Sequence, residues 1–64
     1  MFVSFKRDHD REIKIDIQKV SAYEPSAKRD LPAEEYTAIF FDAGIIYVNE
    51  PFEEVDKKIA GAGI

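Results

Sequence analysis

The sequence predicts a mainly β (α+β) domain: a five-stranded antiparallel, partly barrel-like sheet followed by one short C-terminal helix. Three observations predict it. Glu12-Ile13-Lys14-Ile15-Asp16-Ile17 alternates strictly between charge and isoleucine, the period of a half-buried strand. Tyr36–Phe41 and Ile45–Val48 are rich in β-branched and aromatic residues and flank the turn Asp42-Ala43-Gly44. Beyond Pro51 the apolar spacing changes from two to three and four, with Phe52, Val55 and Ile59 on one stripe.

Each element has a local cause. Phe2–Lys6 places Val3 and Phe5 on one side and Phe2, Ser4 and Lys6 on the other. The polar run Asp8-His9-Asp10-Arg11 suits a turn, so residues 2–17 read as a hairpin. Lys19–Glu24 reads as a third strand, with Val20 and Ala22 on one face and Ser21 and Tyr23 on the other. Pro25 stops it. Residues 26–35 are polar and contain Pro32, which predicts a long exposed loop. In the second hairpin Gly44 supplies the positive φ that a tight turn demands. The helix spans 51–60, with Pro51 at its first position, where a missing N–H costs nothing. Glu53 and Glu54 fall in the first turn and Lys57 and Lys58 in the last, matching the helix dipole and forming two i,i+4 pairs. Gly61 is the expected stop and 61–64 a flexible tail, so residues 1–60 make a single domain.

Length and charge narrow the function classes. A chain of 64 residues buries only about 60% of the surface it exposes when unfolded, and its own core rarely supplies more than ~3–5 kcal/mol. Cysteine is absent, which removes disulfides, thiolate ligands and cysteine nucleophiles. One histidine cannot build a His-ligated metal site within one chain, and no metal or other cofactor is expected. Thirteen acids against nine Lys and Arg, a net charge of -4, disfavour contact with a phosphate backbone, so nucleic acid is not an expected partner. No apolar run reaches membrane-spanning length and no signal peptide is read, and the expected location is the cytoplasm.

Enzymatic motifs are missing. Asp8-His9-Asp10 has no orienting partner in the sequence and reads as a solvated turn. The pairs Glu34-Glu35 and Glu53-Glu54 read as solvation and dipole matching, not as carboxylates facing one another across a pocket. No serine lies in a G-x-S-x-G context, and there is no phosphate loop. No catalytic residue is assigned.

Two patterns point instead to binding. In the second hairpin Ala38 and Phe40 oppose Ile39 and Phe41, and Ile45 and Tyr47 oppose Ile46 and Val48, so both faces favour leaving water. Either the sheet curls around one face, or another copy or another protein covers the second. A second copy makes the chain a homo-oligomer with Ile39, Phe41, Ile46 and Val48 at its interface. Lys28-Arg29, with Lys6, Arg7 and Arg11, forms a basic rim if the loop folds back over the first hairpin, and such a rim suits a phosphate or carboxylate. Tyr23, expected to be the most exposed of the three tyrosines, joins Lys28, Arg29 and Arg11 as a candidate contact to a ligand or partner.

The order of elements, with Ile17 and Val20, Tyr36-Thr37-Ala38-Ile39, Gly44, Tyr47-Val48-Asn49-Glu50, and Val55 and Ile59, resembles the FlbD-like small proteins of bacteria and their phages. The first turn departs from that pattern, being Asp8-His9-Asp10-Arg11 where Asn-Gly is usual, and the middle loop is longer. The resemblance implies no catalytic residue. Taken together, the expected function is that of a non-enzymatic, homo-oligomeric binding module. It acts as a phage or bacterial accessory or inhibitor protein of the anti-defence type, which blocks a host protein surface or sequesters an anionic small molecule. The alternative is a flagellar-associated regulatory protein.

Overall fold

A computed structural model describes residues 1–62. The chain runs β1 (Phe2–Arg7), β2 (Arg11–Asp16), a 3-10 turn (Ile17–Lys19), β3 (Val20–Pro25), β4 (Thr37–Phe41), β5 (Gly44–Val48) and α1 (Phe52–Ala62). All five strands pair antiparallel, but in two sheets, β1-β2 and β3-β4-β5, that do not close into a barrel. The partly barrel-like sheet expected from the sequence is corrected accordingly.

The seam where closure fails lies between β1 and the corner after β5. There the Asn49 N–H donates to the Lys6 carbonyl at 2.7 Å. The Lys6 N–H, which another strand would have satisfied, donates instead to the Glu50 carboxylate at 2.8 Å. Pro51 follows immediately. It has no N–H to extend a ladder, and its carbonyl accepts from the Glu54 and Val55 N–H groups to open α1. The chain therefore leaves the sheet after one backbone bond.

Glu50 holds more than that seam. Its Oε2 also accepts from Lys58 Nζ at 2.8 Å, and Lys58 Nζ donates to the Ser4 carbonyl at 3.0 Å while lying 5.2 Å from the centre of the Phe5 ring. The Glu50 carbonyl accepts from the buried Thr37 hydroxyl at 2.8 Å. The Glu50 side chain is 8% exposed and that of Lys58 36%. The expected i,i+4 pairing of Glu54 with Lys58 is replaced by this one, because the Lys58 stem follows the apolar stripe inward and finds a buried carboxylate there.

Around this clamp the core collects Phe5, Ile15, Ile39, Val48 and Val55, with Val3, Ile13, Val20, Tyr23, Phe41, Ile46 and Ile59 packed against them. Burying each large apolar side chain stabilises by about 1.5–3 kcal/mol. The β1-β2 register sets Val3 against Ile15 and Phe5 against Ile13, so the alternating face predicted for this hairpin is the face that packs. The sequence reading of β3 is corrected. A bulge between Val20 and Ala22 puts Val20 opposite Phe41 and Tyr23 opposite Ile39, so Val20 and Tyr23 share the core face. Strict alternation misses this because the extra residue, Ser21, resets the period.

The helix follows its predicted stripe, with Val55 fully buried and Ile59 partly so. It continues through Gly61 to Ala62, past the expected end at residue 60, and Lys57 and Lys58 fall in its middle. Glycine ends a helix when it takes positive φ, and in α1 it does not; Gly44, at φ 154°, is the glycine that does. Of the expected tail 61–64, Gly61 and Ala62 are helical, and Gly63 and Ile64 lie outside the described residues.

The clamp makes a measurable claim. Glu50→Ala removes the acceptor of two charge-assisted hydrogen bonds in a buried site and lowers stability by about 2–4 kcal/mol, most of what a domain of this size has. Lys58→Met keeps the apolar stem and lowers stability by a smaller amount, about 1–2 kcal/mol, since solvent reaches the ammonium. Urea midpoints of the two variants, measured with an unchanged slope, check the size and the order.

Candidate functional site

The tip of the first hairpin is built from a backbone under constraint. His9 and Asp10 both adopt the left-handed region, at φ 62° and 57°, a conformation that costs non-glycine residues about 1–2 kcal/mol each. The Arg11 N–H closes the turn by donating to the Asp8 carbonyl at 3.3 Å. This three-residue loop sets Arg7 directly opposite Arg11. Like charges in that relation repel. Among the described residues the ion pairs are the N-terminal ammonium with Asp16 and Lys58 with Glu50, and neither arginine has a carboxylate partner.

Of the carboxylates adjacent in sequence, Asp10 and Glu12 flank Arg11, and Asp8, beside Arg7, is held by another group. The Tyr36 hydroxyl donates to Asp8 Oδ1 at 2.5 Å. This bond raises the Tyr36 pKa above its usual value of about 10. The loss of the bond on ionisation is the largest cause, followed by desolvation and by repulsion from Asp8 and Glu35. Tyr36 therefore remains a donor across the physiological range and keeps Asp8 engaged.

Tyr36 reaches the hairpin tip because the segment before it is a closed loop. The Ser26 N–H donates to the Tyr36 carbonyl at 3.1 Å, so the loop's two ends meet. Inside it Leu31 bonds back to Lys28, and Glu35 and Tyr36 both bond to Pro32. The Lys28 N–H donates to the Ser26 hydroxyl at 3.2 Å, and Lys28 Nζ lies 4.9 Å from the centre of the Tyr47 ring. The long loop read from the sequence is thus ordered by its own turns, and it lies over the face of the second hairpin that carries Tyr47.

Between the tip and this loop is a hollow of about 350 Å³, lined by Arg7, Asp8, His9, Arg11, Leu31, Tyr36, Ile45, Ile46 and Tyr47. A second hollow of about 370 Å³ lies on the other side of the tip, where Arg7, His9 and Arg11 meet Lys6, Asp10, Glu12 and Asn49. The two arginines and His9 thus border both.

The residues singled out from the sequence separate. Arg11 lies at the hollow, and Lys28 stands beside it over Tyr47. Arg29 is exposed and borders neither hollow. Tyr23 is committed within the chain. Its hydroxyl donates to Asp56 at 2.7 Å and its ring lies 5.7 Å from that of Phe52, so it is not the exposed anchor expected. The Asp56 bond also raises its pKa, with burial and the Asp56 charge adding to it. Ile39 and Val48 are 0% exposed inside the chain's own core and offer no surface to a partner. Phe41 and Ile46 are partly buried and line an open groove of about 840 Å³ between β2 and the tip of the second hairpin. Arg7, Tyr36 and Tyr47 are the site residues that the sequence reading underweighted. The signal for Arg7 was available in the hairpin register, which must set it opposite Arg11 once the turn takes three residues.

Among the described residues no group of three His, Asp or Glu side chains is placed to hold a metal ion. No described helix is long and apolar enough to cross a membrane. Comparison with protein-family models, with curated proteins and with solved structures finds no match.

A tyrosine whose folded pKa is raised contributes stability that is full below the unfolded value and is lost as pH rises through the folded value. For Tyr23 and Tyr36 this window opens above pH ~10. Phenolate absorbance during an alkaline titration shows Tyr23 and Tyr36 ionising late. Asp8→Asn removes the negative charge from the Tyr36 contact and moves one of the two back toward the ordinary range.

Proposed function

We propose that this chain is a non-enzymatic binding module that holds a small anionic molecule at the tip of its first hairpin. The observation that carries the reading is the Arg7–Arg11 pair. The two arginines stand opposite one another in the hairpin register, neither in an ion pair, at the rim of a hollow walled by Tyr36 and Tyr47 whose carboxylate, Asp8, is engaged by the Tyr36 hydroxyl. Such a pair costs stability when empty and is relieved by an anion, and guanidinium forks match carboxylate and phosphate oxygens in bidentate geometry. His9 adds a third donor at the same rim, and Lys28 extends the positive charge along Tyr47. The tyrosines supply apolar walls for the rest of the ligand, and a hollow of about 350 Å³ suits a small molecule.

The strained turn supports the same reading. Two successive left-handed non-glycine residues hold His9 at the rim, and strain of this kind concentrates where geometry serves binding. Sequestration of a small anion is thereby favoured over the blocking of a protein surface, because Tyr23, the anchor expected for a protein partner, is engaged by Asp56 and Phe52.

The test is a titration followed by amide and side-chain NMR, with inorganic phosphate, citrate and adenosine monophosphate as probes at low salt. Binding shifts the Arg7, Arg11 and His9 signals. Arg11→Gln weakens it by roughly 10- to 100-fold, the loss of a charge-assisted hydrogen bond. The same substitution leaves the thermal midpoint unchanged or higher, because it removes a like-charge contact. Saturating probes that leave those signals in place overturn the proposal, and so does an Arg11→Gln variant that binds like the parent.

A further inference from the structure

The outer edge of β2 carries a charge pattern that specifies its own partner. The backbone bonds fix which groups it presents. Lys6 sends both its N–H and its carbonyl away from β2, to Glu50 and Asn49, and the Ser4 carbonyl faces Lys58. The Met1 carbonyl accepts from the Ile17 N–H at 3.0 Å. Even-numbered residues of β1 therefore face outward and odd-numbered ones bond β2. By the alternation of an antiparallel ladder, the backbone groups of Glu12, Lys14 and Asp16 face the opposite edge. The β1 edge is covered by Asn49, Glu50 and Lys58. Among the described residues nothing bonds the backbone of Glu12 or Lys14 on the β2 edge, and both residues are exposed.

We propose that two copies of this chain pair antiparallel along β2, with Ile13 facing Ile13 across a two-fold axis. A second copy is the occupant the charges select. In that register Glu12 faces Lys14 of the second copy and Lys14 faces its Glu12, and these are the residues whose backbone groups point outward, so ionic and hydrogen-bonded pairs coincide. Shifting the register one way sets Lys14 against Lys14 and Glu12 against Asp16. Shifting it the other way sets Glu12 against Glu12. Each alternative brings like charges together, which opposes pairing. A register centred on Ile15 also matches charges, but it runs into Ile17–Lys19, which is a 3-10 turn, and has only residues 14–16 left to pair. The Ile13-centred register uses Arg11–Ile15 of both chains, nearly the whole strand. The alternating signs thus oppose slipped or open-ended pairing while permitting one closed dimer.

This interface replaces the one expected at Ile39 and Val48, and it does not depend on the anion site. Its test is a charge exchange at exposed positions, where folding is not at stake. Sedimentation equilibrium of the parent gives twice the 7.3 kDa chain mass. Glu12→Lys alone and Lys14→Glu alone each place like charges opposite one another twice and weaken self-association by roughly tenfold or more. An equimolar mixture of the two single variants restores the dimer as a mixed species, since lysines on one chain then face glutamates on the other. Native mass spectrometry identifies that species by its mass. A parent that stays monomeric at millimolar concentration overturns the proposal. Single variants that remain fully dimeric, or a mixture that fails to associate while the parent does, also overturn it.

Discussion

One carboxylate oxygen organises this molecule. Oε2 of Glu50 accepts from the backbone of Lys6 and from the ammonium of Lys58, and the Glu50 carbonyl takes the hydroxyl of Thr37. These contacts span 44, 8 and 13 residues of chain and join β1, α1 and β4 at a single point. Burying an acid is costly unless it is paired and hydrogen-bonded. Here Oε2 has both a cation and a backbone donor, and with the carbonyl bond to Thr37 this requires β1, the helix and the β4-β5 hairpin to be in place together. The clamp therefore couples elements that otherwise touch through few residues.

The same clamp decides that the sheet stays open. A barrel needs β1 to pair along β5, and Lys6 is where that ladder begins. Glu50 takes the N–H that the next rung needs, and Pro51 has none to offer. The outcome is two sheets joined by one backbone bond, with a groove between β2 and the tip of the second hairpin and an uncovered edge on β2. The β1 edge is blunted by the groups that make the clamp, whereas the β2 edge has only its charges to govern what pairs with it.

The second hairpin shows how a chain of 64 residues covers much of two apolar faces, leaving Ile45 exposed. Ile39 and Val48 turn toward the common core, and the opposite face, carrying Ala38 and Tyr47, is met by the closed loop 26–36 through Lys28. That loop also brings Tyr36 to Asp8 and so shapes the hollow at the hairpin tip. A segment that reads as a polar connector is the cover of one face and the wall of the candidate site. Its order comes from backbone bonds to Pro32, Lys28 and Tyr36, and from the Ser26 side chain.

Local chemistry alone determined much of this protein. Strict alternation set the packing face of Val3, Phe5, Ile13 and Ile15; β-branched residues around a glycine turn set the second hairpin; and the 52, 55, 59 spacing set the buried stripe of the helix. These features rest on interactions within a few residues, where period and turn chemistry dictate geometry. Tertiary structure decided the rest, because the deciding partner lies far along the chain. The bulge at Ser21 exists only against β4, and it packs Tyr23, expected as a surface anchor, against the edge of the core. Both faces of the second hairpin read alike in one dimension, and only the arrival of β1, α1 and the loop made Ile39 and Val48 interior. Of the site, the basic character of Arg7, Arg11 and Lys28 was legible in the sequence. Their setting beside Tyr36 and Tyr47, and the engagement of Asp8 by Tyr36, required a segment 28 residues away to close around a three-residue turn.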